Sequence, residues 1–172
     1  REQKLREEKL VFQYETLKNQ VNPHFLFNSL NALSSLVKKD ALLSEKFIQK
    51  LSSIYRYILD NSEKEMVPLS DELEFVRNYF YLQKIRDEEK IELNINLEKT
   101  EGIKILPVSL QILVENAFKH NSATRKNPLV VCIDFENPST LKVTNSLQLK
   151  TDWTGSTGTG LKNLSERCRL IL

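Results

Sequence analysis

The sequence is poor in the residues that turn, break or crosslink a chain. Its 172 residues include only four glycines, five prolines and two cysteines. So few turn-forming residues favour long regular elements. Cys132 and Cys168 lie far apart, which excludes both a disulfide framework and a cysteine-rich zinc site, and we expect a reducing compartment. The two histidines, His24 and His120, add no metal-ligand spacing.

The sequence also lacks a charge bias and long apolar runs. Its 25 basic and 23 acidic residues give a formal net charge of +2, which is too even for a nucleic-acid-binding protein. No stretch approaches the run of roughly 18 apolar residues that indicates a membrane-spanning helix, and no signal peptide is evident. We therefore expect any membrane attachment to lie in regions absent from this chain, which we interpret as a fragment that is truncated at its C-terminus.

The first forty residues show a helical pattern that is interrupted at Pro23. Apolar residues follow a 4-3-4 spacing on both sides of the proline, but the stripe slips by one residue there. This predicts one long helix with a kink, because proline removes a helical hydrogen bond. Asp40 is predicted to cap a second amphipathic helix. A lone hairpin cannot cover both apolar stripes, so we expect a homodimer in which two hairpins form a four-helix bundle.

The pattern changes at Val67 to helices that alternate with short strands. Residues 91–97, 129–135 and 140–144 have the composition or alternation of strands, and helices are predicted over residues 70–86, from Pro107 to about Asn121, and from about Leu161. The fold class is therefore α+β. A helical dimerization domain, residues 1–66, precedes an α/β sandwich, residues 67–172, whose helices cover one face of a mixed sheet.

A polar face on the first helix carries His24, together with Asn28, Asn31 and Ser35. A neutral imidazole near pH 7 has a free lone pair and can act as a nucleophile. From its position alone, however, the pattern favours a polar surface residue over a nucleophile.

The residues around His24 resemble a family signature. Gln20-Val-Asn-Pro-His-Phe-Leu-Phe-Asn-Ser-Leu-Asn31 closely resembles the motif of the LytS-type sensor histidine kinases, and Leu69-Ser-Asp-Glu-Leu-Glu74 and Asn78-Tyr-Phe-Tyr-Leu82 extend the resemblance. It implies that His24 accepts a phosphoryl group. The amide of Asn28, one helical turn later, is placed to orient the ring but is not a base. In many other histidine kinases an acidic residue follows the histidine, but here Phe25 does, so the proton acceptor stays open.

The segment Val114-Glu-Asn-Ala-Phe-Lys-His-Asn121 carries candidate nucleotide ligands. On the predicted helix, Glu115, Asn116 and Lys119 project away from the apolar side and offer oxygen ligands for a hard cation and a cation for phosphate. The alternative is the charged face of an ordinary amphipathic helix. The segment resembles the N-box of the ATPase superfamily that contains gyrase and the histidine kinases, whose domain has a Bergerat-type fold. The resemblance implies that Asn116 binds Mg²⁺, that Lys119 contacts phosphate, that Glu115 polarises the attacking group, and that His120 lies near the nucleotide.

The glycine-rich segment Gly155-Ser-Thr-Gly-Thr-Gly-Leu-Lys-Asn163 precedes the last predicted helix. Glycines before a helix N-terminus let backbone amides approach a phosphate, although a short glycine repeat alone is more often a turn. Followed by Leu161-Lys-Asn-Leu-Ser-Glu-Arg167, the segment resembles the family's G-box, which implies a phosphate loop formed by Gly158, Thr159, Gly160 and Leu161. Residues 147–157 are then expected to form a short lid.

Two positions depart from the family's pattern. Asn145 stands where relatives commonly have an aspartate that accepts a hydrogen bond from adenine, so we expect weaker ATP binding. Ile112 stands at an often polar position four residues before Asn116, and Gln111 is the alternative for a second magnesium contact.

Together, the resemblances imply the core of a sensor histidine kinase in a two-component system. Its expected reaction is ATP- and Mg²⁺-dependent autophosphorylation of His24, followed by transfer to an aspartate of a response regulator. Its expected location is the cytoplasmic portion of a cell-membrane sensor. One alternative is a non-catalytic dimeric signalling module with a weakened nucleotide site, and another is an ATP-driven conformational machine. The intact N-box and G-box argue against decay, and the phosphoacceptor motif argues against a purely conformational ATPase.

Overall fold

The chain divides between Glu63 and Lys64 into two compact units, Arg1–Glu63 and Lys64–Leu172. A computed structural model describes residues 22–87, 90–150 and 159–171. The division lies three residues before the predicted boundary at residue 66. This division does not test the functions that the sequence predicts for the two units, which stay predictions.

The described part of the first unit is a pair of helices, α1 (Pro23–Val37) and α2 (Ala41–Asn61). The predicted cap of α2 is confirmed, since the Asp40 carboxylate accepts a hydrogen bond of 2.9 Å from the backbone N–H of Leu43. This bond satisfies one of the donors that a helix N-terminus leaves without an intrahelical partner.

The expectation of a helix that continues through Pro23 is wrong at Asn22. The backbone of Asn22 has a ψ of 104°, outside the helical range, and its side chain accepts from the N–H groups of His24 and Phe25 at 3.2 and 3.3 Å. Pro23 is therefore the first residue of α1, where its missing N–H removes no intrahelical bond and its fixed φ suits a helix. The part of this prediction that concerns residues 1–21 lies outside the described residues.

The two helices pack along one side only. Phe25 and Ser29 of α1 are buried, and the buried apolar residues of α2 are Phe47, Leu51, Ile54 and Ile58. The predicted apolar residues of α1 lie beside the buried contact with α2 and not at its centre. Leu30 is therefore 46% exposed and Val37 57% exposed. The apolar surface of α1 is therefore wider than α2 alone covers.

The second unit contains a mixed sheet, as predicted. Its elements in chain order are β1 (Val67–Pro68), α3 (Leu69–Arg86), β2 (Ile91–Asn96), β3 (Lys104–Ile105), α4 (Ser109–His120), β4 (Leu129–Asn137), β5 (Thr140–Asn145) and α5 (Thr159–Ile171). The sheet has the order β2-β4-β5, with β2 parallel and β5 antiparallel to β4. The short strands β1 and β3 pair separately and antiparallel; the sequence did not predict them, because two residues are too few to show alternation.

One face of the sheet is apolar and the other polar. Leu129, Val131 and Ile133 of β4 are buried, whereas on the other face Asn96 donates to Asp134 at 2.7 Å. Alternation of this kind is typical of a sheet with one covered face. The helix α3 contacts β2, and α4 contacts β4 and β5.

The helix α3 begins one residue earlier than predicted. Pro68 precedes it and supplies no side-chain cap, and Ser70 lies inside the first turn, where its hydroxyl donates to Asp71 at 3.2 Å. None of the described helices is long and apolar enough to span a membrane.

Candidate active-site residues

His24 lies in the first turn of α1 with its side chain exposed to solvent. The amide nitrogen of Asn28, one turn later, is 3.3 Å from both ring nitrogens. A neutral imidazole has one donor and one acceptor nitrogen, so an amide at this position can hold the ring in one orientation. The helix α1 contains no aspartate or glutamate, and so offers no carboxylate to accept a proton.

The predicted polar face around His24 is accessible. Asn31 and Ser35 are exposed like His24, Asn28 is half-buried, and the neighbouring Phe25 points into the hairpin core. A large partner can therefore reach the imidazole from the side that α2 does not cover.

The helix α4 presents the residues of the predicted N-box on the side away from its buried residues. Leu110, Val114 and Ala117 are buried, Glu115 and Asn116 are half-buried, Lys119 is exposed and His120 is half-buried. The buried residues pack α4 against the unit's core, which leaves the carboxylate, the amide and the ammonium group on the opposite, more accessible side.

Glu115 belongs to a polar network that joins α4 to α3. Its carboxylate accepts a hydrogen bond of 2.6 Å from the side-chain amide of Gln111, and the amide of Gln83 donates to the Tyr79 hydroxyl at 2.8 Å. Burial, and secondarily the negative charge of Glu115, raise the pKa of Tyr79 far above its usual value, although hydrogen bonds from Gln83 and Gln111 oppose the shift. Tyr79 is therefore a neutral phenol close to the candidate polarising carboxylate.

Sequence reasoning missed the carboxylate that holds the start of α4. Glu72 of α3 is 0% exposed, and its two oxygens accept from the backbone N–H groups of Val108 at 2.9 Å and Leu110 at 3.0 Å. Val108 has a φ of 67°, a left-handed conformation that strains a β-branched residue by about 1–3 kcal/mol. The only sequence signal was an acidic residue in the first turn of α3.

The other end of α4 is tied to the segment that follows β5. The buried Asn121 donates to the carbonyl of Ala117 at 2.9 Å and accepts from the N–H of Gln148 at 2.9 Å, and Lys150 donates to the carbonyl of Phe118 at 3.0 Å. These contacts, which the sequence did not predict, hold the first described residues of the predicted lid against α4.

Asn145 is the last residue of β5, and its side chain is exposed. Its amide nitrogen donates to the carbonyl of Ser146 at 2.7 Å. The side chain thus lies at the strand end where the family's pattern places the adenine contact.

The described part of the G-box lies beside α4. The helix α5 begins at Thr159, and a Cβ added to Gly160 would lie 3.6 Å from the side chain of Ile112. The predicted Gly158 lies outside the described residues, and Leu161 is exposed. The side chain of Ile112 therefore packs against the start of α5, which explains an apolar residue at this position.

Comparisons with known proteins agree with the sequence motifs. A family model described as histidine kinase matches residues 12–91. The sensor protein LytS of Enterococcus faecalis is 33% identical over 169 residues, which cover 89% of this chain and 29% of that protein. LytS of Bacillus subtilis is 38% identical over 69% of this chain and 21% of its own length. The sensor histidine kinase/phosphatase LytS of Staphylococcus aureus is 38% identical over 65% of this chain and 19% of its own.

The chain spans less than a third of the length of these relatives. The match nevertheless includes both His24 and the start of the second unit, since the family model extends from residue 12 to residue 91. The chain belongs to the LytS-type sensor histidine kinases.

Proposed function

We propose that this chain carries out ATP-dependent autophosphorylation of His24 and passes the phosphoryl group to an aspartate of a response regulator. The observation that carries the proposal is the exposed His24 ring with the Asn28 amide 3.3 Å away. An accessible and oriented imidazole is what a phosphoryl acceptor needs, because this reaction depends chiefly on positioning and charge neutralisation.

In the proposed reaction, the ring nitrogen with the lone pair attacks the γ-phosphorus of ATP. A P–N bond forms, the bond from the γ-phosphorus to the bridging oxygen breaks, and ADP leaves with that electron pair. The amide nitrogen of Asn28 can only donate a hydrogen bond, so it bonds the ring nitrogen that has the lone pair. This bond orients the ring before the reaction and breaks when the same nitrogen attacks. Because His24 is exposed and α1 has no carboxylate, water accepts the ring proton after the attack.

The side chains of α4 fit a magnesium nucleotide by their chemistry. Asn116 and Glu115 offer the oxygen atoms that a hard cation prefers, and the exposed Lys119 offers a positive charge to phosphate. Bound Mg²⁺ would neutralise phosphate charge. We assign Mg²⁺ to Asn116, polarisation of the attacking group to Glu115, and nucleotide contacts to Lys119, His120, Asn145, Gly158, Thr159, Gly160 and Leu161.

A second copy of the chain is the proposed partner of the helical hairpin. Ile48 and Leu59 of α2 are 47% and 54% exposed, and Leu30 and Val37 of α1 are similarly exposed. Two such hairpins can bury these residues against each other as a four-helix bundle. The relatives' description as sensor proteins supports a response regulator as a second partner and a membrane-bound sensor as the longer protein.

The alternative is a dimeric signalling module that does not catalyse phosphorylation. It is motivated by Asn145 and Ile112, the two departures from the nucleotide site. The position of Ile112 close to Gly160 weakens this alternative. Packing against the start of α5 explains an apolar residue at position 112 even if the nucleotide site is intact.

Incubation of the chain with γ-labelled ATP and Mg²⁺ tests the proposal. We expect an acid-labile, base-stable label that disappears in His24→Gln and stays in Ser35→Ala, a matched change on the same exposed face. Binding of ATP without any label on the wild-type chain would favour the signalling module or a conformational ATPase and reject the kinase.

A further inference from the structure

The buried Glu72 has no role in the proposed chemistry and yet lies in the core of the nucleotide-binding unit. It is 0% exposed on α3, where its neighbours Leu73, Phe75 and Val76 are also buried. A buried carboxylate is unfavourable unless hydrogen bonds replace its water. The structure supplies such bonds from a segment 36 to 38 residues away.

Glu72 acts as the N-terminal cap of α4. The residue at the N-cap position is Val108, whose side chain has no atom that can accept from the first N–H groups of the helix. The Glu72 carboxylate accepts from Val108 and Leu110 instead, at 2.9 and 3.0 Å. A negative charge here also interacts favourably with the positive end of the helix dipole.

The same contact holds a strained turn. Val108 has a φ of 67°, which a valine adopts only when its surroundings impose it. The hydrogen bond from its N–H to Glu72, together with that from the Ser109 hydroxyl to the Leu106 carbonyl at 2.7 Å, fixes the direction in which the chain enters α4.

The entry into α4 determines where its functional side chains point. Leu110 is one turn before Val114, and Glu115, Asn116 and Lys119 follow within the next two turns. A rotation of the first turn therefore changes the direction of each of these side chains about the helix axis.

We infer that Glu72 is a positioning residue for the nucleotide site, which sets the rotation of α4 by holding Val108 and Leu110. This inference rests on the proposed function, since it concerns the same ATP site. It predicts that loss of the carboxylate weakens nucleotide binding although Glu72 lies on another helix and is fully buried.

The decisive variant is Glu72→Gln, which keeps the size of the side chain but presents an amide N–H₂ to one of the two backbone donors. We expect the affinity for a nonhydrolysable ATP analogue with Mg²⁺, measured by isothermal titration, to fall about 10- to 100-fold, as when groups that orient ligands are removed. Glu74→Gln is the matched control, because it removes the same charge from an exposed position of the same helix. It should bind like the wild type.

A second measurement distinguishes positioning from loss of the fold. Amide hydrogen exchange should become faster at residues 108 and 110 in Glu72→Gln and stay slow in β4. Glu72→Asp, which retains the charge on a shorter side chain, should show a smaller loss of affinity. Affinity within twofold of the wild type in Glu72→Gln overturns the inference. Equal loss of β4 protection in both Glu72 variants also overturns it, because the effect would then be unfolding.

The two proposals fail in different ways. If the wild-type chain binds no nucleotide, the proposed function and this inference fall together. If the wild type and Glu74→Gln bind and Glu72→Gln binds equally well, the inference alone falls.

Discussion

The buried Tyr79 allows a quantitative test of the network between α3 and α4. In Tyr79→Phe the ring stays, but the amide of Gln83 loses the acceptor that it contacts at 2.8 Å. Gln83 is itself 4% exposed, and its amide oxygen has no hydrogen-bond partner among the described residues. The variant thus leaves the whole amide buried and unpaired, which costs about 1–3 kcal/mol in the free energy of unfolding at pH 8.

The raised pKa of Tyr79 also predicts how the difference in the free energy of unfolding between the wild type and Tyr79→Phe changes with pH. Burial raises the pKa of Tyr79 far above its usual value of 10.0. The folded phenol therefore keeps its proton at a pH where the unfolded one releases it, so the wild type is destabilised as pH rises above about 10. Release of one proton by the unfolded chain lowers the free energy of unfolding of the wild type by about 1.4 kcal/mol at pH 11. Tyr79→Phe lacks this term, and the difference between the two proteins should shrink by that amount.

Urea unfolding followed by far-UV circular dichroism at pH 8, 9, 10 and 11 measures the difference. Titration of other groups occurs in both proteins and cancels. A matched double variant, Tyr79→Phe with Gln83→Leu, should recover much of the loss at pH 8, because it removes the buried amide that the single variant leaves unpaired. A difference that stays constant from pH 9 to pH 11 would refute the raised pKa, and a double variant no better than Tyr79→Phe would refute the role of Gln83.

Three further predictions concern separate parts of the chain. Asp40→Ala should lower the stability of the helical hairpin by about 1 kcal/mol in thermal circular dichroism, because α2 loses its cap; an unchanged transition contradicts this. Asn145→Asp should tighten binding of an ATP analogue about five- to tenfold in calorimetry, since a carboxylate is a stronger acceptor than an amide; weaker binding would argue against an adenine contact. Ile48→Gln should raise the dissociation constant of the dimer about 30-fold in sedimentation experiments, because each of the two copies loses roughly 1 kcal/mol of apolar burial. Leu42→Gln, on another side of α2 and more exposed, should leave the dimer unchanged, and equal effects of the two would place the interface elsewhere.

Local signals predicted most of the regular elements. The alternation of residues 91–97 and the apolar composition of residues 129–135 gave β2 and β4 to within two residues, because strand periodicity reflects the burial of one face. Asp40 was predicted as a cap because the bond it makes is to a residue only three positions away. Features of this kind depend on neighbours in the sequence, so the sequence can reveal them.

Pro23 shows how one local signal can have two meanings. A proline inside a helical pattern predicts a kink, but a proline at the first helical position predicts a start. The deciding residue is Asn22, since asparagine is among the preferred N-caps and its side chain accepts two backbone N–H groups here. This signal was present in the sequence, but the similar apolar spacing before and after the proline favoured a single kinked helix.

Glu72 and Asn121 could not be assigned from local patterns. Each makes its decisive hydrogen bonds to residues far away in the sequence, Glu72 to Val108 and Leu110, and Asn121 to Gln148. Local sequence gave only an acid in a first helical turn and an asparagine at a helix end. The roles of the candidate site residues themselves stay predictions, to be decided by the labelling and binding experiments.

The polar contacts of α4 explain why a helix with a simple apolar side can present its functional groups in one orientation. Burial of Leu110, Val114 and Ala117 attaches α4 to the core, but apolar contacts are non-directional and tolerate some rotation or sliding. Hydrogen bonds join specific atoms, and here they act on the start of the helix through Glu72 and on its end through Asn121. Apolar burial therefore accounts for the attachment of α4, and these directional bonds account for its rotation, on which the placement of the candidate nucleotide ligands depends.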